Sequence, residues 1–402
     1  MSEWRSVKLG DLYEVHNGLS KGGKFFGSGY PFLTFSTVFN NYFIPDEMTD
    51  LVQSTEAERK NYSVLRGDVF VTRTSETSDE LGMSCVALKD YPNATYNGFT
   101  KRMRPITDQV LPEYIGYYMR MPSFRGEFQA FSTMTTRASL KNEDLLSLTV
   151  KLPSLDVQEK IAQTLRNYDN LINNNNKQII LLEEAAQRLY KEWFVDLHFP
   201  RYEDVQILDG IPEGWENKNT VDLSTVLRRG ISPVYNEKGR YTVINQKCIR
   251  TAIMGLDEAR KQEKEYPDEI NLQDADTVIC STGIGTLGRV GQVYGEYPAT
   301  TIDSHVTLVR AKRYKNLLYY SIKAKQDYLM GLGRGSTNQQ ELYKNVIGET
   351  EVLWPSSDIA SKFEEIATPI HRMITVLNRT IYEAKEARDR LLPMLMSGEI
   401  EL

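Results

Sequence analysis

The chain has 402 residues, of which 41% are apolar and 25% charged, with a formal net charge of −6. That size predicts two or more domains with ample core; the lack of eighteen successive apolar residues argues against a membrane-spanning helix, and the absence of any basic block argues against nucleic-acid binding by bulk charge. Cys85, Cys248 and Cys280, odd in number and without C-x-x-C spacing, read as reduced structural thiols of a cytoplasmic protein, and MSEWRSVKLG lacks the apolar core of a secretory signal.

Residues 1–153 read as a mixed α/β head. A basic glycine loop, LSKGGKFFGSG at 19–29, offers Lys21 and Lys24. YPFLTFSTV and DVFVTRT have the composition of strands. The polar turn TRTSETSDELG follows the second of these, with Arg73, Thr74, Ser75 and Thr77 as candidates. Another polar turn, STMTTRASLKN at 132–142, carries Thr135, Thr136 and Arg137. The head then closes with a helix, SLKNEDLLSL, and a short strand before Pro153.

Residues 154–200 read as one long helix. Ile161, Leu165, Tyr168, Ile172, Asn175, Ile179, Leu182, Ala186, Leu189 and Trp193 follow one another in alternating steps of four and three, an unbroken a/d seam. The seam crosses four asparagines, Asn173 to Asn176, without losing phase. A loop has no reason to keep phase, so a continuous helix is expected from about Asp156 to Asp196, with Asp156 as the N-cap candidate. Only Asn175 falls on the seam. Asn costs roughly 0.5 kcal/mol against Ala at a helical position, so packing against another element must hold the run helical.

FPRYEDVQILDGIPEGW at 199–215 is the linker into a second head, 201–355. Its strands are TVICST, GRVGQVY and SHVTLVRA. Its polar segments are LRRGISPVY with Arg228 and Arg229, STGIGTLGR with Ser281, Thr282 and Arg289, and GRGSTNQQELYKN with Arg334, Ser336, Thr337, Asn338, Gln339 and Gln340. GIGTLG at 283–288 fits G-x-G-x-x-G, and Asp303 lies near the spacing of a ribose-binding acid. The residues after it alternate like a strand instead of opening a helix, so it reads as a tight turn and not a dinucleotide site.

Residues 356–402 repeat the long helix 202 positions later. The second seam is Phe363, Ala367, Ile370, Ile374, Leu377, Ile381, Ala384, Arg388, Leu391 and Leu395. VKLPSLDVQEKI at 150–161 aligns with VLWPSSDIASKF at 352–363, so Asp358 is the second N-cap candidate. GDVFVTRT pairs with ADTVICST, LPEYIGYYMR with YKNLLYYSIK, and EWRSVKLGDL with GWENKNTVDL. The expected fold is therefore two similar mixed α/β heads, related by a pseudo-twofold internal repeat and separated by a long antiparallel two-helix coiled coil.

No Walker motif, nucleophile elbow or H-E-x-x-H sequence is present, and His16, His198, His305 and His371 are scattered, so neither catalysis nor a metal site is expected. The polar turns suit another task. Arg can pair with guanine and Asn or Gln with adenine across the major groove, while hydroxyl and Gly–Ser turns suit phosphates.

LPSLDVQEKIAQTL with the long helix after it, LYKEWFVD, and the terminal ARDRLLPMLMSGEI make the chain resemble the specificity subunit of a type I DNA restriction–modification system over nearly its whole length. The second copy departs from the pattern in lacking a counterpart of Gln158. The resemblance implies that each head is a target-recognition domain reading half of a bipartite, asymmetric site in double-stranded DNA. It implies that the helices dock two methyltransferase (modification) subunits, which carry S-adenosylmethionine, and that restriction subunits add ATP- and Mg-dependent translocation and cleavage. The chain itself would be non-catalytic, with no cofactor of its own. The alternatives are the specificity subunit of a related combined restriction–methylation enzyme and a repeat scaffold that binds only proteins.

Overall fold

The computed structural model describes residues 4–75, 81–130, 138–250, 253–333 and 340–402. The chain forms two compact units, Met1–Leu171 with Glu383–Leu402, and Ile172–Tyr382.

In the first unit, strand Arg5–Lys8 pairs antiparallel with Thr149–Leu152. A four-stranded antiparallel sheet runs Tyr13–Asn17, Thr100–Pro105, Val69–Thr72, Ser84–Val86 in spatial order, and a smaller sheet runs Leu51–Val52, Phe26–Leu33, Thr95–Tyr96. The second unit repeats this plan. Glu216–Asn219 pairs with Glu351–Trp354. Its four-stranded sheet runs Ser224–Arg229, Val306–Ala311, Thr277–Cys280, Val290–Gln292, and its smaller sheet runs Arg260–Gln262, Tyr241–Ile244, Thr300–Ile302. Even the sense of pairing repeats, since the last strand of each small sheet is parallel to its neighbour.

The central strands are buried on both faces, and their alternation sorts side chains into two cores. Val69 and Val71 pack with Met103 and the head's helix Pro112–Tyr118, whereas Phe70 packs with Cys85, Leu33 and Tyr96. In the second unit Ile279 takes the first role and Val278 with Cys280 the second. All three cysteines are buried and free. Burial pushes their thiols up to about 12, 11 and 12 for Cys85, Cys248 and Cys280, so they are inert packing groups.

A tight turn precedes each central strand. Gly67 and Ala275 hold φ of 89° and 65°. The next residue, Asp68 or Asp276, is buried and accepts the Leu65 or Gln273 N–H at 2.8 Å. Each carboxylate also takes a two-pronged bond from an arginine on the neighbouring strand, Arg104 at 2.8 and 2.6 Å and Arg310 at 2.8 and 2.7 Å.

One predicted strand is revised. In YPFLTFSTV the strand ends at Leu33, and Thr34 caps a short helix, Phe35–Asn40, by accepting the Thr37 N–H at 3.2 Å. A Thr hydroxyl placed to take an orphan amide outweighs β-propensity there. GIGTLG does form a tight turn: it joins the antiparallel strands Thr277–Cys280 and Val290–Gln292, with Gly283, Gly285 and Gly288 all at positive φ.

The long helices are Leu155–Tyr190 and Ser357–Ser397, and the first passes unbroken through Asn173–Asn176. Along its seam Ile161, Leu165, Ile172, Asn175, Ile179, Ala186 and Trp193 are buried, and Tyr168, Leu182 and Leu189 half-buried. Asn173, Asn174 and Asn176 are exposed. Along the second seam Phe363, Ala367, Ile374, Ile381, Ala384 and Leu395 are buried, and Ile370, Leu377, Arg388 and Leu391 half-buried. Within the first unit the helical segments run antiparallel: Asp169 meets Arg388 at 2.6 Å, and Lys160 meets Leu402 at 3.3 Å. Arg388 can occupy a seam position because Asp169 neutralises it and the Tyr42 ring, 5.1 Å away, covers its guanidinium. Within the second unit Tyr190 and Trp193 pack on Phe363, at 6.2 and 6.1 Å between ring centres.

The N-caps differ from expectation. Gln158 N–H bonds to Ser154 C=O at 2.9 Å and Ala360 N–H to Ser356 C=O at 3.0 Å, so the helices are capped at Ser154 and Ser356. Asp156 and Asp358 lie inside the first turn instead, where a carboxylate still meets the positive end of the helix. The other end also differs: the last turn of the first helix, Lys191–Val195, is a π-turn. Its extra residue lets the neighbours Trp193 and Phe194 both face inward, and Phe194 reaches Trp215 and Phe363 at 5.6 and 5.2 Å.

The missing counterpart of Gln158 has a replacement. Gln158 accepts the Leu111 N–H at 2.9 Å at the start of helix Pro112–Tyr118 and donates to Gln109 and Pro153 carbonyls at 3.0 Å. In the second copy the position is Ala360, and Glu364, one turn later, accepts the Leu317 N–H at 2.9 Å and the Asn316 amide at 2.9 Å.

Two predictions follow from these buried polar groups. Removing one partner of a buried ion pair leaves the other uncompensated, so Asp68→Ala should destabilise the first unit by about 3–5 kcal/mol, read as faster hydrogen exchange in strand Val69–Thr72. Glu183 is buried in the second unit and accepts the Tyr294 hydroxyl. Burial raises its carboxyl above the ordinary 4.5, against bonds from Tyr294 and Gln187 that oppose the shift. A raised folded pKa favours the protonated fold, so this stability is present below 4.5 and is lost as pH climbs through the raised value. Glu183→Gln should remove that loss. The thermal midpoint of the second unit would then exceed wild type at neutral pH, and its dependence on pH would flatten.

Candidate nucleic-acid interface

In each head the described strand ends that lead toward polar segments singled out in the sequence lie at the same end of the four-stranded sheet. In the first head Asn17 ends its strand opposite Lys101. Arg73 follows the central strand; its N–H donates to Phe99 C=O at 3.0 Å, and its C=O accepts the Leu140 N–H at 3.0 Å. In the second head Arg229 ends its strand opposite Thr307. Ser281 follows the central strand, donates to His305 C=O at 2.8 Å and accepts from Leu342 N–H at 2.9 Å. The registers thus equate Asn17 with Arg229, Arg73 with Ser281, Phe99 with His305, Lys101 with Thr307, and Leu140 with Leu342.

The side chains at these shared positions are different chemistry. Asn17, Arg73, Lys101, Leu140, Lys141, Asn142 and Glu143 line a cavity of about 520 Å³. Lys101 is 5% exposed and donates to the Asn142 amide oxygen. Burial, and next the charge of Arg73, hold its ammonium below the ordinary lysine value, with Asp144 opposing. Arg73 reaches the Asn17 amide oxygen at 3.4 Å, and its Nε is enclosed without a partner. In the second head the inner positions are a hydroxyl pair, Ser281 Oγ and Thr307 Oγ1, 2.6 Å apart. Thr282 Oγ1 lies 2.6 Å from His305 Nδ1. Arg229 is paired with Glu341 and donates to Ser304 C=O, and burial lowers its pKa despite Asp303 and Tyr343.

The other candidates divide by how much of each side chain remains available. Lys21 is committed to Glu58 at 2.7 Å and to Gln53 C=O at 2.6 Å. Lys24 is exposed beside the Phe25 ring at 5.2 Å. Arg228 is paired with Glu269, Ser281 is fully buried, Arg289 is half-buried in its hairpin, and Gln340 is exposed. Thr74 and Ser75 lie in a strand paired with Ser139 and Ala138. Thr77, Thr135, Thr136, Arg137, Arg334, Ser336, Thr337, Asn338 and Gln339 lie outside the described residues. The sequence reading missed Asn17, Lys101, Phe99, His305 and Thr307, which lie on strands or in the turns before them. One signal was available: TKRMRP carries Lys101 and Arg102 side by side, and both prove to be buried in the strand.

Two heads on one plan, with matched polar positions that carry different side chains, define a duplicated recognition module. Residues 1–184 match the type I restriction modification DNA specificity domain. The whole chain is 26% identical to the type I restriction enzyme MjaIX specificity subunit of Methanocaldococcus jannaschii, covering 100% of this chain and 94% of that one. It is 22% identical to the HindI specificity subunit of Haemophilus influenzae, each covered in full. Its fold is similar to the crystal structure of a type I restriction–modification S subunit from M. genitalium, with a TM-score of 0.57 at 13% identity over 98% of this chain and 96% of that one. Residues 1–184 thus carry a type I restriction–modification DNA specificity domain, and the whole chain is similar to specificity subunits of such systems.

The two lysines of the glycine loop give a test. If this loop meets a phosphate, Lys24→Gln should lower the slope of log binding constant against log salt by about 1, while Lys21→Gln, whose charge Glu58 already neutralises, should leave the slope unchanged.

Proposed function

We propose that this chain reads the DNA sequence for a type I restriction–modification complex. Residues 1–153 and 201–355 each read one half of a bipartite, asymmetric site in double-stranded DNA. The helices, 154–200 and 356–402, dock two modification subunits and, through them, restriction subunits. S-adenosylmethionine belongs to the modification subunits and ATP with Mg to the restriction subunits; this chain contributes recognition and no chemistry.

The observation that carries the reading is the register match between the heads. The backbone bonds of Arg73 and Ser281 are the same, yet one head offers Arg, Lys and Asn where the other offers Ser, Thr and an Arg–Glu pair. Two recognition surfaces of different chemistry on one scaffold suit two unlike half-sites. Docking is supported by large apolar side chains left exposed on the helices of the second unit, among them Ile180, Leu181, Met373 and Val376. The similar proteins from Methanocaldococcus jannaschii and Haemophilus influenzae are specificity subunits of type I restriction enzymes.

Exchanging residues 1–153 for the matching head of a relative, in a host that supplies the modification subunits, tests this. Mapping of methylated bases should show one half of the motif replaced and the other kept. A motif that changes in both halves, or in neither, would refute the division of labour. Labelled methyl transfer by the purified chain alone would refute its non-catalytic role.

A further inference from the structure

We infer that the cavity at the sheet end of the first head holds one backbone phosphate of the DNA, through Arg73, Lys101 and Lys141, and that the residues at the matching described positions of the second head form no such seat. The inference rests on the DNA-reading role proposed above and assigns a contact within it.

The cavity is built for an anion with acceptors only. Its floor is Lys101, 5% exposed, and its wall is Arg73, whose Nε is enclosed and unbonded. The amide oxygens of Asn17 and Asn142 are already turned toward Arg73 and Lys101, so they hold the cations in place and are not free to accept from a base edge. Among the described residues no carboxylate makes an ion pair with Arg73 or Lys101, and the exposed Glu143 sits at the rim with Lys141. Burial, and next the charge of Arg73, disfavour the Lys101 ammonium in the cavity, with Asp144 opposing. A phosphodiester entering the cavity would reverse the cost, because every donor there meets a charged oxygen. A volume of about 520 Å³ admits the phosphate with its flanking sugars.

The second head answers the same positions differently. Ser281 and Thr307 replace Arg73 and Lys101 and satisfy one another, and the nearby Arg229 is neutralised by Glu341. That arrangement is complete without a ligand.

The test uses the chain assembled with its modification subunits, bound to a duplex carrying its methylated motif and to a scrambled duplex, across a salt series. Arg73→Gln with Lys141→Gln should lower the salt slope by about 1 and weaken both duplexes by the same factor, leaving the methylated motif intact. Lys101→Met should act in the same direction and Lys101→Arg should not; if Lys101→Met fails to fold, the Arg73→Gln, Lys141→Gln variant, which spares the buried lysine, decides. An unchanged slope in a complex that binds DNA would overturn the phosphate seat alone. Loss of discrimination at one base pair, with the slope kept, would overturn it in favour of a base contact. A wild-type complex with no preference for its motif would overturn the DNA reading and the inference with it.

Discussion

A long amphipathic helix cannot keep its apolar stripe in water, and everything else in this protein is arranged around covering two of them. In the first unit Ile161 and Leu165 are covered by Leu392, Leu395 and Met396 together with the head's own core. In the second, Ala186, Tyr190 and Trp193 close against Phe363 and Ala367. In the first unit the covering residues come from the opposite end of the chain, and in the second from the far end of one continuous segment, so both closures are non-local in sequence. That non-local closure costs chain entropy, which the continuous apolar contact must exceed. It also explains how four asparagines persist in a helix. Three face water and only Asn175 enters the seam, while the packed positions on either side hold the phase.

The helices do more than pack. Each offers a polar side chain to the first turn of the neighbouring head helix, Gln158 to Leu111 and Glu364 to Leu317. In the first unit Tyr117 donates to Asp169, which also holds Arg388. These bonds tie head to helix within each unit. They fix the base of each sheet and leave the opposite strand ends free to vary.

The proposed recognition surface lies at those strand ends. The turn before the central strand is constrained, because its buried aspartate must meet an amide and an arginine at once, and both heads solve it the same way. At the strand ends Arg73 and Lys101 line a cavity in the first head, whereas Ser281 and Thr307 are buried and bond to each other in the second. Scaffold and surface therefore answer to different physical demands, and one fold can carry two surfaces.

The repeat, the strands DVFVTRT and TVICST, the helical seams and the isolation of Asn175 were all legible in the sequence, because periodicity survives without coordinates. So was the rejection of GIGTLG as a nucleotide loop, since the strand after it alternates. What the sequence left wrong or hidden depends on three-dimensional neighbours. The caps fell to Ser154 and Ser356 because the helices begin at Leu155 and Ser357, ahead of the aspartates expected to cap them. The π-turn that buries Phe194 beside Trp193 leaves no periodic mark. That Lys21 and Arg228, DNA-binding candidates by sequence, are ion-paired with Glu58 and Glu269 could be learned only from the fold. Lys101 and Asn17 drew no notice, since only sheet register brings them next to Arg73. Sequence alone determined the family resemblance and the duplicated plan, which are written in local pattern. Which charges remain free to meet a ligand was decided by tertiary structure, because a charge is spent or available according to the partner that folding sets within bonding distance.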